Sequence, residues 1–185
     1  MDLFDAVFFR QSIAEVKPEP VQRDLIEKLL SAAVQAPNHY KVRPWRFVVL
    51  TGAGCEHMGE VLARSFSEKF PQAAASALEK ERQKPLRAPL IIAVGVDKPS
   101  ESNVQEIENI CAAAAAVENL LLAVQALNLA AKWRTGDDAR NPRLKEFLGF
   151  TPDQQIIAIL YIGHPFAQAV AVNRPGYEDR TVWME

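Results

Sequence analysis

Hydrophobic side chains recur along the chain with the spacing of helices in some segments and of strands in others. From Val21 to Ala36 the apolar residues form one stripe and the charged residues lie largely opposite, which predicts an amphipathic helix. The apolar run from Asp2 to Phe9 predicts a short helix that opens the chain. A long helical pattern rich in small residues covers Asn103 to Lys132, and we expect a central helix there.

Three short apolar runs predict strands. Arg46 to Leu50 is β-branched and aromatic, and it lies between a proline and a Thr-Gly pair. Leu90 to Val96 and Ile156 to Ile162 are almost continuously apolar over a strand's length. Runs of this kind are typical of strands that are buried on both faces. The sequence therefore predicts an internal sheet.

Turn residues and composition divide the rest of the chain. Ala53 to Lys84 is charged and rich in alanine, which suits one or two surface helices separated at Pro71. The Asn141-Pro142 pair predicts the start of a short helix that runs through Phe147, with Gly149 placed to end it. Strands separated by helices of varied length indicate a mixed α/β layout, and this order leaves the topology open.

Composition narrows the class of protein. The chain has 185 residues, 49% of them hydrophobic and 24% charged, which predicts one domain over 1–185. A net charge of -2 argues against nucleic acid as a partner. The N-terminus is acidic and the most apolar segment is interrupted by polar residues, so we expect neither a signal peptide nor a membrane span. Two distant cysteines fit a reducing compartment, and we expect a cytoplasmic location.

Several common kinds of active site have no support in the sequence. The glycines at 52, 54 and 59 do not match a dinucleotide-binding loop, and no phosphate-binding loop ends in Lys-Ser or Lys-Thr. The three histidines are scattered without ligand partners at metal-binding spacing, so no metal is expected. The serines lack the motif of a hydrolase nucleophile. No catalytic side chain is assigned.

Three polar clusters remain, and each also has an ordinary structural interpretation. Arg10 and Ser12 suit a phosphate, or are a surface arginine and a capping serine. The turn from Gln35 to Arg43 suits the polar edge of a ring, or is a solvated turn before a strand. Trp133-Arg134-Thr135-Gly136 suits an anion, or simply closes the long helix. Together they suggest a phosphate-bearing organic cofactor that supplies the chemistry.

The same residues, in their order along the chain, resemble the nitroreductase family. The resemblance is carried by Arg10-Gln11-Ser12, by the stretch from Ala36 to Phe47, by Glu118-Asn119-Leu120 and by Trp133-Arg134-Thr135-Gly136. It extends over nearly the whole chain. It is strongest for the small branch with a histidine in an A-P-x-H loop and a W-R-S/T-G turn.

The resemblance implies a fold, an assembly and a cofactor. It implies an α+β fold with a central, mainly antiparallel sheet flanked by helices, and an intertwined homodimer with two FMN sites at its interface. Gln35 and His39 would come from the partner subunit. The residues expected to bind FMN are Arg10, Gln11, Ser12, Gln35, His39, Arg43, Trp133, Arg134 and Thr135.

The resemblance also implies a reaction. NADPH or NADH would deliver hydride to the flavin and leave, and a small electrophilic acceptor such as a nitroaromatic or a quinone would then take the electrons. The alternatives are another flavin chemistry, with oxygen, dehalogenation or desaturation, and a flavin-binding module without turnover.

Two departures from the family pattern concern the expected FMN site. Gln11 stands where a second basic residue is usual, which would lower the affinity for the phosphate or shift phosphate binding toward Arg134. Arg43 replaces a glutamine or asparagine before the Pro-Trp pair, and its cation would stabilise negative charge on the flavin.

Overall fold

A sheet of four strands lies at the centre of the computed structural model, which describes residues 1–167 and 169–185. In chain order the strands are β1 (Trp45–Thr51), β2 (Leu90–Val96), β3 (Ala130–Arg134) and β4 (Gln155–Gly163). Their spatial order is β1-β2-β4-β3, and each neighbouring pair is antiparallel. The predicted antiparallel sheet is confirmed.

Helices cover both faces of this sheet, and together with it they confirm the predicted α+β class. In chain order they are α1 (Leu3–Phe9), α2 (Arg23–Ala33), α3 (Ala53–Lys69), α4 (Ala75–Gln83), α5 (Glu106–Ala126), α6 (Asp137–Arg140) and α7 (Pro142–Phe147). The predicted division of the 53–84 segment into two helices around Pro71 is confirmed.

The core consists of two layers of side chains, one on each face of the sheet. Alternate residues of β2, such as Ile92 and Val94, pack with β4, α2 and α5 on one face. Ile91 and Ala93 point the other way and pack with α3 and α7. Because β2 is central and buried on both faces, its sequence is continuously apolar rather than alternating. Each fully buried Leu or Ile contributes about 1.5–3 kcal/mol to folding.

The short helix α7 begins and ends as predicted. The Asn141 side chain accepts hydrogen bonds from the backbone N–H groups of Arg143 (3.0 Å) and Leu144 (3.3 Å), and Pro142 occupies the first turn. Gly149 has a φ of 74°, the left-handed conformation that stops a helix at low cost for glycine. Local capping chemistry therefore fixes both ends.

The prediction of one helix from Asn103 to Lys132 is wrong at its C-terminal end. Helix α5 stops at Ala126, and Asn128 has a φ of 55°, which ends the helical path. The alanines that follow favour a helix locally, but they pair with β4 and form the edge strand β3 instead. Trp133 and Arg134 therefore lie on a strand rather than closing a helix.

Helix α5 is long and apolar enough to cross a membrane by length and composition. It is instead the central helix of the core, with buried residues from Asn109 to Val124 that pack against α2 and the sheet. Its N-terminus is closed by a capping box in which Gln105 N–H donates to the Glu108 carboxylate at 2.8 Å. Its apolar composition is thus explained by packing.

Candidate functional site

The Arg10-Gln11-Ser12 segment leaves α1 and joins the open edge of the sheet. Ser12 forms a parallel bridge with Ala131 of β3, and Ile13 N–H donates to Ala131 O at 2.9 Å. These contacts hold the segment in an extended conformation beside β3. Side chains two residues apart on an extended chain point the same way, so Arg10 and Ser12 share one side and Gln11 faces the other.

The N–H donors of the Arg10 guanidinium are available to bind a ligand. Its Nε lies 3.6 Å from Glu118 Oε1 on α5, and 27% of its side chain is exposed. An ion pair of that length near the surface contributes little to stability. Among the described residues no hydrogen bond uses the guanidinium, so its planar fork can bind an anion bidentately.

Gln11 contacts the C-terminal tail. Its Nε2 donates to Val170 O at 3.0 Å, across 159 residues of sequence. The sequence resemblance assigned Gln11 to the cofactor. The contact gives its side chain a structural partner in the tail, on the side of the segment opposite Arg10 and Ser12.

The loop between α2 and β1 has an unusual backbone. Tyr40, Lys41 and Arg43 have φ values of 48°, 58° and 49°. A non-glycine residue in the left-handed region costs roughly 1–2 kcal/mol. Asn38 compensates in part, because its Oδ1 accepts from Arg43 N–H at 2.9 Å. The loop is therefore held in a strained shape that presents exposed polar side chains.

Two of the predicted residues near this loop are exposed and loosely held. His39 Nε2 lies 3.7 Å from Glu108 Oε1 of α5, and its ring packs edge-on against Tyr40 at 4.5 Å. Gln35 follows α2, and its amide donates to Ser31 O at 3.3 Å. Both side chains can therefore turn to contact a ligand or a partner subunit at a small cost in free energy.

The third cluster is divided between the two faces of the sheet. Trp133 packs against the α5 side of the core, and its indole N–H donates to Ile157 O at 3.0 Å. Arg134 points to the other face, where its guanidinium carbon lies 5.5 Å from the centre of the Tyr161 ring. Thr135 follows and is exposed. The indole is fixed by its hydrogen bond, and the guanidinium by a cation–π contact.

Tyr161, the buried neighbour of Arg134, carries no charge. Burial, and secondarily the Asp138 carboxylate, raise the pKa of Tyr161 to about 12, although Arg134 opposes the shift. The phenol therefore stays neutral at any physiological pH. Its face attracts the Arg134 guanidinium without neutralising it.

Within one chain the predicted residues do not form a single pocket. Arg10 meets α5 at Glu118, whereas His39 meets it at Glu108, ten residues earlier. At 1.5 Å per residue the two contacts are about 15 Å apart along the helix. Arg134 lies on the sheet face opposite α5, away from Arg10. The structure thus brings Arg10 and Ser12 together and places His39 about 15 Å away along α5, whereas Gln35 follows the part of α2 whose Ala32 O accepts from Asn119 Nδ2, next to Glu118.

Two residues around these groups were missed. Asn38 fixes the strained loop, and Arg174 of the tail contacts the backbone of the Arg10 segment. Asn38 belongs to a polar cluster that indicated the turn. The sequence did not indicate that the Asn38 side chain holds the loop. Arg174 lies in a stretch without periodicity, so no sequence signal connected it to residues 164 and 166 positions earlier. The described residues contain no group of three or more acidic, histidine or cysteine side chains placed to hold a metal.

Comparison with known proteins gives consistent matches over most of the chain. The model of the nitroreductase family matches residues 7–164. YdjA of Escherichia coli K12, provisionally named an NAD(P)H nitroreductase, is 30% identical over 95% of each chain.

Solved structures agree with this result. A nitroreductase-like family protein from Bacillus cereus superposes with a TM-score of 0.86 at 25% identity, over 100% of this chain and 97% of that one. A Desulfovibrio desulfuricans protein, provisionally described as a nitroreductase and solved in complex with FMN, has a TM-score of 0.75 at 25% identity, over 100% and 98%. Fold and sequence therefore point to the same family.

Proposed function

Because this chain belongs to the nitroreductase family, we propose that it is an FMN-dependent oxidoreductase that uses NADPH or NADH to reduce small electrophilic molecules such as nitroaromatics and quinones. The observation that carries the proposal is the Arg10-Gln11-Ser12 segment, which is held against β3 with an exposed hydroxyl and a guanidinium that, among the described residues, makes one long ion pair. The name of YdjA and the FMN bound to the Desulfovibrio protein support the same donor and cofactor.

The donors at this segment fit the phosphate end of FMN. A guanidinium with unused N–H groups matches two phosphate oxygens, and a hydroxyl two residues away can reach a third oxygen or the ribityl chain. The position at the C-terminal end of α1 gives no help from the helix dipole, so the side-chain donors of Arg10 and Ser12 have to supply the binding energy.

The protein's part in the reaction is to bind and orient. When bound, FMN would supply the redox chemistry, taking hydride from the nicotinamide and passing electrons to the acceptor. Trp133 is fixed by its hydrogen bond to Ile157 O and offers a rigid apolar surface at the end of β3. Arg43 adds a positive charge on the strained loop, which would stabilise negative charge on a nearby ring.

The exposure of the second group of residues supports a homodimer. Arg10 meets α5 at Glu118 and His39 meets it at Glu108, about 15 Å along the helix, and the side chains of Gln35, His39 and Arg43 are all exposed to a partner chain. A second copy of the chain would supply them in exchange for its own Arg10 segment. We therefore propose two FMN sites, each built from both subunits.

Exposed apolar residues support the same assembly. On α1, Phe4 is 68% and Phe8 is 62% exposed, and the two rings stack on each other. Trp183, near the end of the tail, is 75% exposed. Contiguous apolar surface of this kind commonly marks a protein–protein interface. A second subunit is the partner that also completes the proposed site.

The dimer can be tested by measuring the mass in solution. We expect wild-type protein to sediment at twice the chain mass of 20.6 kDa. Phe8→Glu should shift the equilibrium strongly toward monomer, because it would bury a charge in the interface. Leu86→Glu is the matched control, since Leu86 is also exposed but lies away from α1, beside α4. A monomeric wild type at micromolar concentration, or equal effects of both variants, would contradict the proposed assembly.

The acceptor class is tested by turnover. FMN-loaded protein is supplied with NADPH or NADH and, separately, a quinone, a nitroaromatic or oxygen alone. The proposal predicts that the first two acceptors accelerate nicotinamide oxidation well above the rate with oxygen. Oxidation at the same rate with oxygen alone would favour a different flavin chemistry, and no oxidation at all would favour a binding module.

A further inference from the structure

Arg174, in the C-terminal tail, is bonded to the backbone of the proposed phosphate-binding segment. Its Nη1 donates to Phe8 O at 3.2 Å, and its Nη2 donates to Arg10 O. Nearby, Gln11 Nε2 donates to Val170 O at 3.0 Å. Three hydrogen bonds therefore join the tail to residues 8–11.

These contacts lie at the C-terminal end of α1. The last carbonyl groups of a helix have no helical partners, and α1 is a short helix without a basic residue in its last turn. A guanidinium placed there satisfies two of these oxygens and complements the negative end of the helix dipole. Because it bonds the peptide plane before Phe9 and the one after Arg10, it also fixes the direction in which the chain leaves α1.

The direction of the chain at this point sets the position of the Arg10 side chain. Apart from the bridge at Ser12, Arg10 is restrained among the described residues by its backbone N–H, which donates to Ala6 O at 3.0 Å, and by the 3.6 Å ion pair with Glu118. An ion pair of that length leaves a long side chain considerable freedom. The two hydrogen bonds from Arg174 add a restraint at the carbonyl groups of Phe8 and Arg10.

We propose that Arg174 is a positioning residue, which holds Arg10, Gln11 and Ser12 in the conformation that binds the FMN phosphate. This inference rests on the proposed function. Arg174 acts through the backbone of the segment, so docking of the tail and binding of FMN favour each other. The tail is thereby part of the cofactor site without contributing to the chemistry.

The test compares Arg174→Ala with a matched control in the same tail. Arg180 is 82% exposed, and its side chain pairs with the adjacent Asp179, so Arg180→Ala removes the same charge without touching residues 8–11. We expect Arg174→Ala to raise the dissociation constant of FMN about tenfold, the usual effect of losing charge-assisted hydrogen bonds. Arg180→Ala should leave it unchanged. Flavin fluorescence quenching measures each constant.

Two further readouts separate positioning from general loss of structure. In FMN-free protein, Arg174→Ala should accelerate amide hydrogen exchange at Arg10, Gln11 and Ser12 while the strands remain protected. Low millimolar guanidinium ion, and the conservative Arg174→Lys, should each recover part of the FMN affinity, because both can donate to the two carbonyl oxygens.

Unchanged FMN affinity in Arg174→Ala, or an equal loss in Arg180→Ala, would overturn the inference and leave the proposed function standing. A weaker affinity without faster exchange at residues 10–12 would also overturn it, because Arg174 would then not act through the segment. Failure of wild-type protein to bind FMN would instead refute the proposed function.

Discussion

Replacing Arg10 with alanine is expected to weaken FMN binding about a hundredfold, the largest loss from any single change in the proposed site. A bidentate pair between guanidinium and phosphate is charge-assisted at both ends, and each hydrogen bond to a charged group contributes about 1.5–3 kcal/mol. A loss of about 2.7 kcal/mol corresponds to a factor of one hundred. The fold should be unaffected, since among the described residues the Arg10 side chain makes a single long ion pair.

The comparison is made by titrating FMN into each variant. Arg23→Ala removes another arginine, which pairs with Glu27 on the outer surface of α2, and should leave the dissociation constant unchanged. Arg10→Lys keeps the charge but loses the planar fork, so we expect an intermediate affinity. Wild-type affinity in Arg10→Ala would show that the phosphate is bound elsewhere.

Replacing Gly59 with alanine is expected to lower the free energy of unfolding by about 2–4 kcal/mol. Gly59 lies in α3 where that helix touches the end of α4, and an added Cβ would be 2.2 Å from Arg82 O. The obstacle is a backbone oxygen rather than a flexible side chain, so the two helices would have to separate. Urea unfolding followed by circular dichroism measures the loss.

Gly54→Ala is the control, because it is the same substitution in the same helix. Its Cβ would meet Leu50 Cδ2 at 3.4 Å, an ordinary contact. Alanine is the better helix former, so stability should stay constant or rise by up to about 1 kcal/mol. A gain in stability at both positions would show that helix propensity, and not the close approach of α3 to α4, decides the outcome.

Segments whose conformation depends mainly on their own residues could be predicted from the sequence. The continuous apolar run of β2 predicted a strand that is buried on both faces. The Asn141-Pro142 pair predicted the start of α7, where the Asn141 side chain accepts hydrogen bonds from the first turn. β3 could not be predicted, because Ala130 and Ala131 favour a helix and become a strand only through pairing with β4. Such a conflict is visible only when the partner strand is known.

The candidate site was predictable in its residue types but not in its geometry. Arg10 and Ser12 suited a phosphate by residue type, and the family resemblance assigned them to FMN, but their placement beside β3 is a tertiary contact. Nothing in the sequence indicates the left-handed conformations of Tyr40, Lys41 and Arg43, because no glycine marks them. The contact of Arg174 with residues 8 and 10 depends on a tail of irregular structure.

The most direct test of the proposed function is anaerobic reduction of the purified protein after incubation with FMN and removal of free flavin. We predict that about one FMN per chain stays bound, and that its absorption band bleaches when NADPH or NADH is added without oxygen. If no flavin remains bound at micromolar protein, or if neither nicotinamide bleaches the band, the protein is not an NAD(P)H-dependent FMN oxidoreductase.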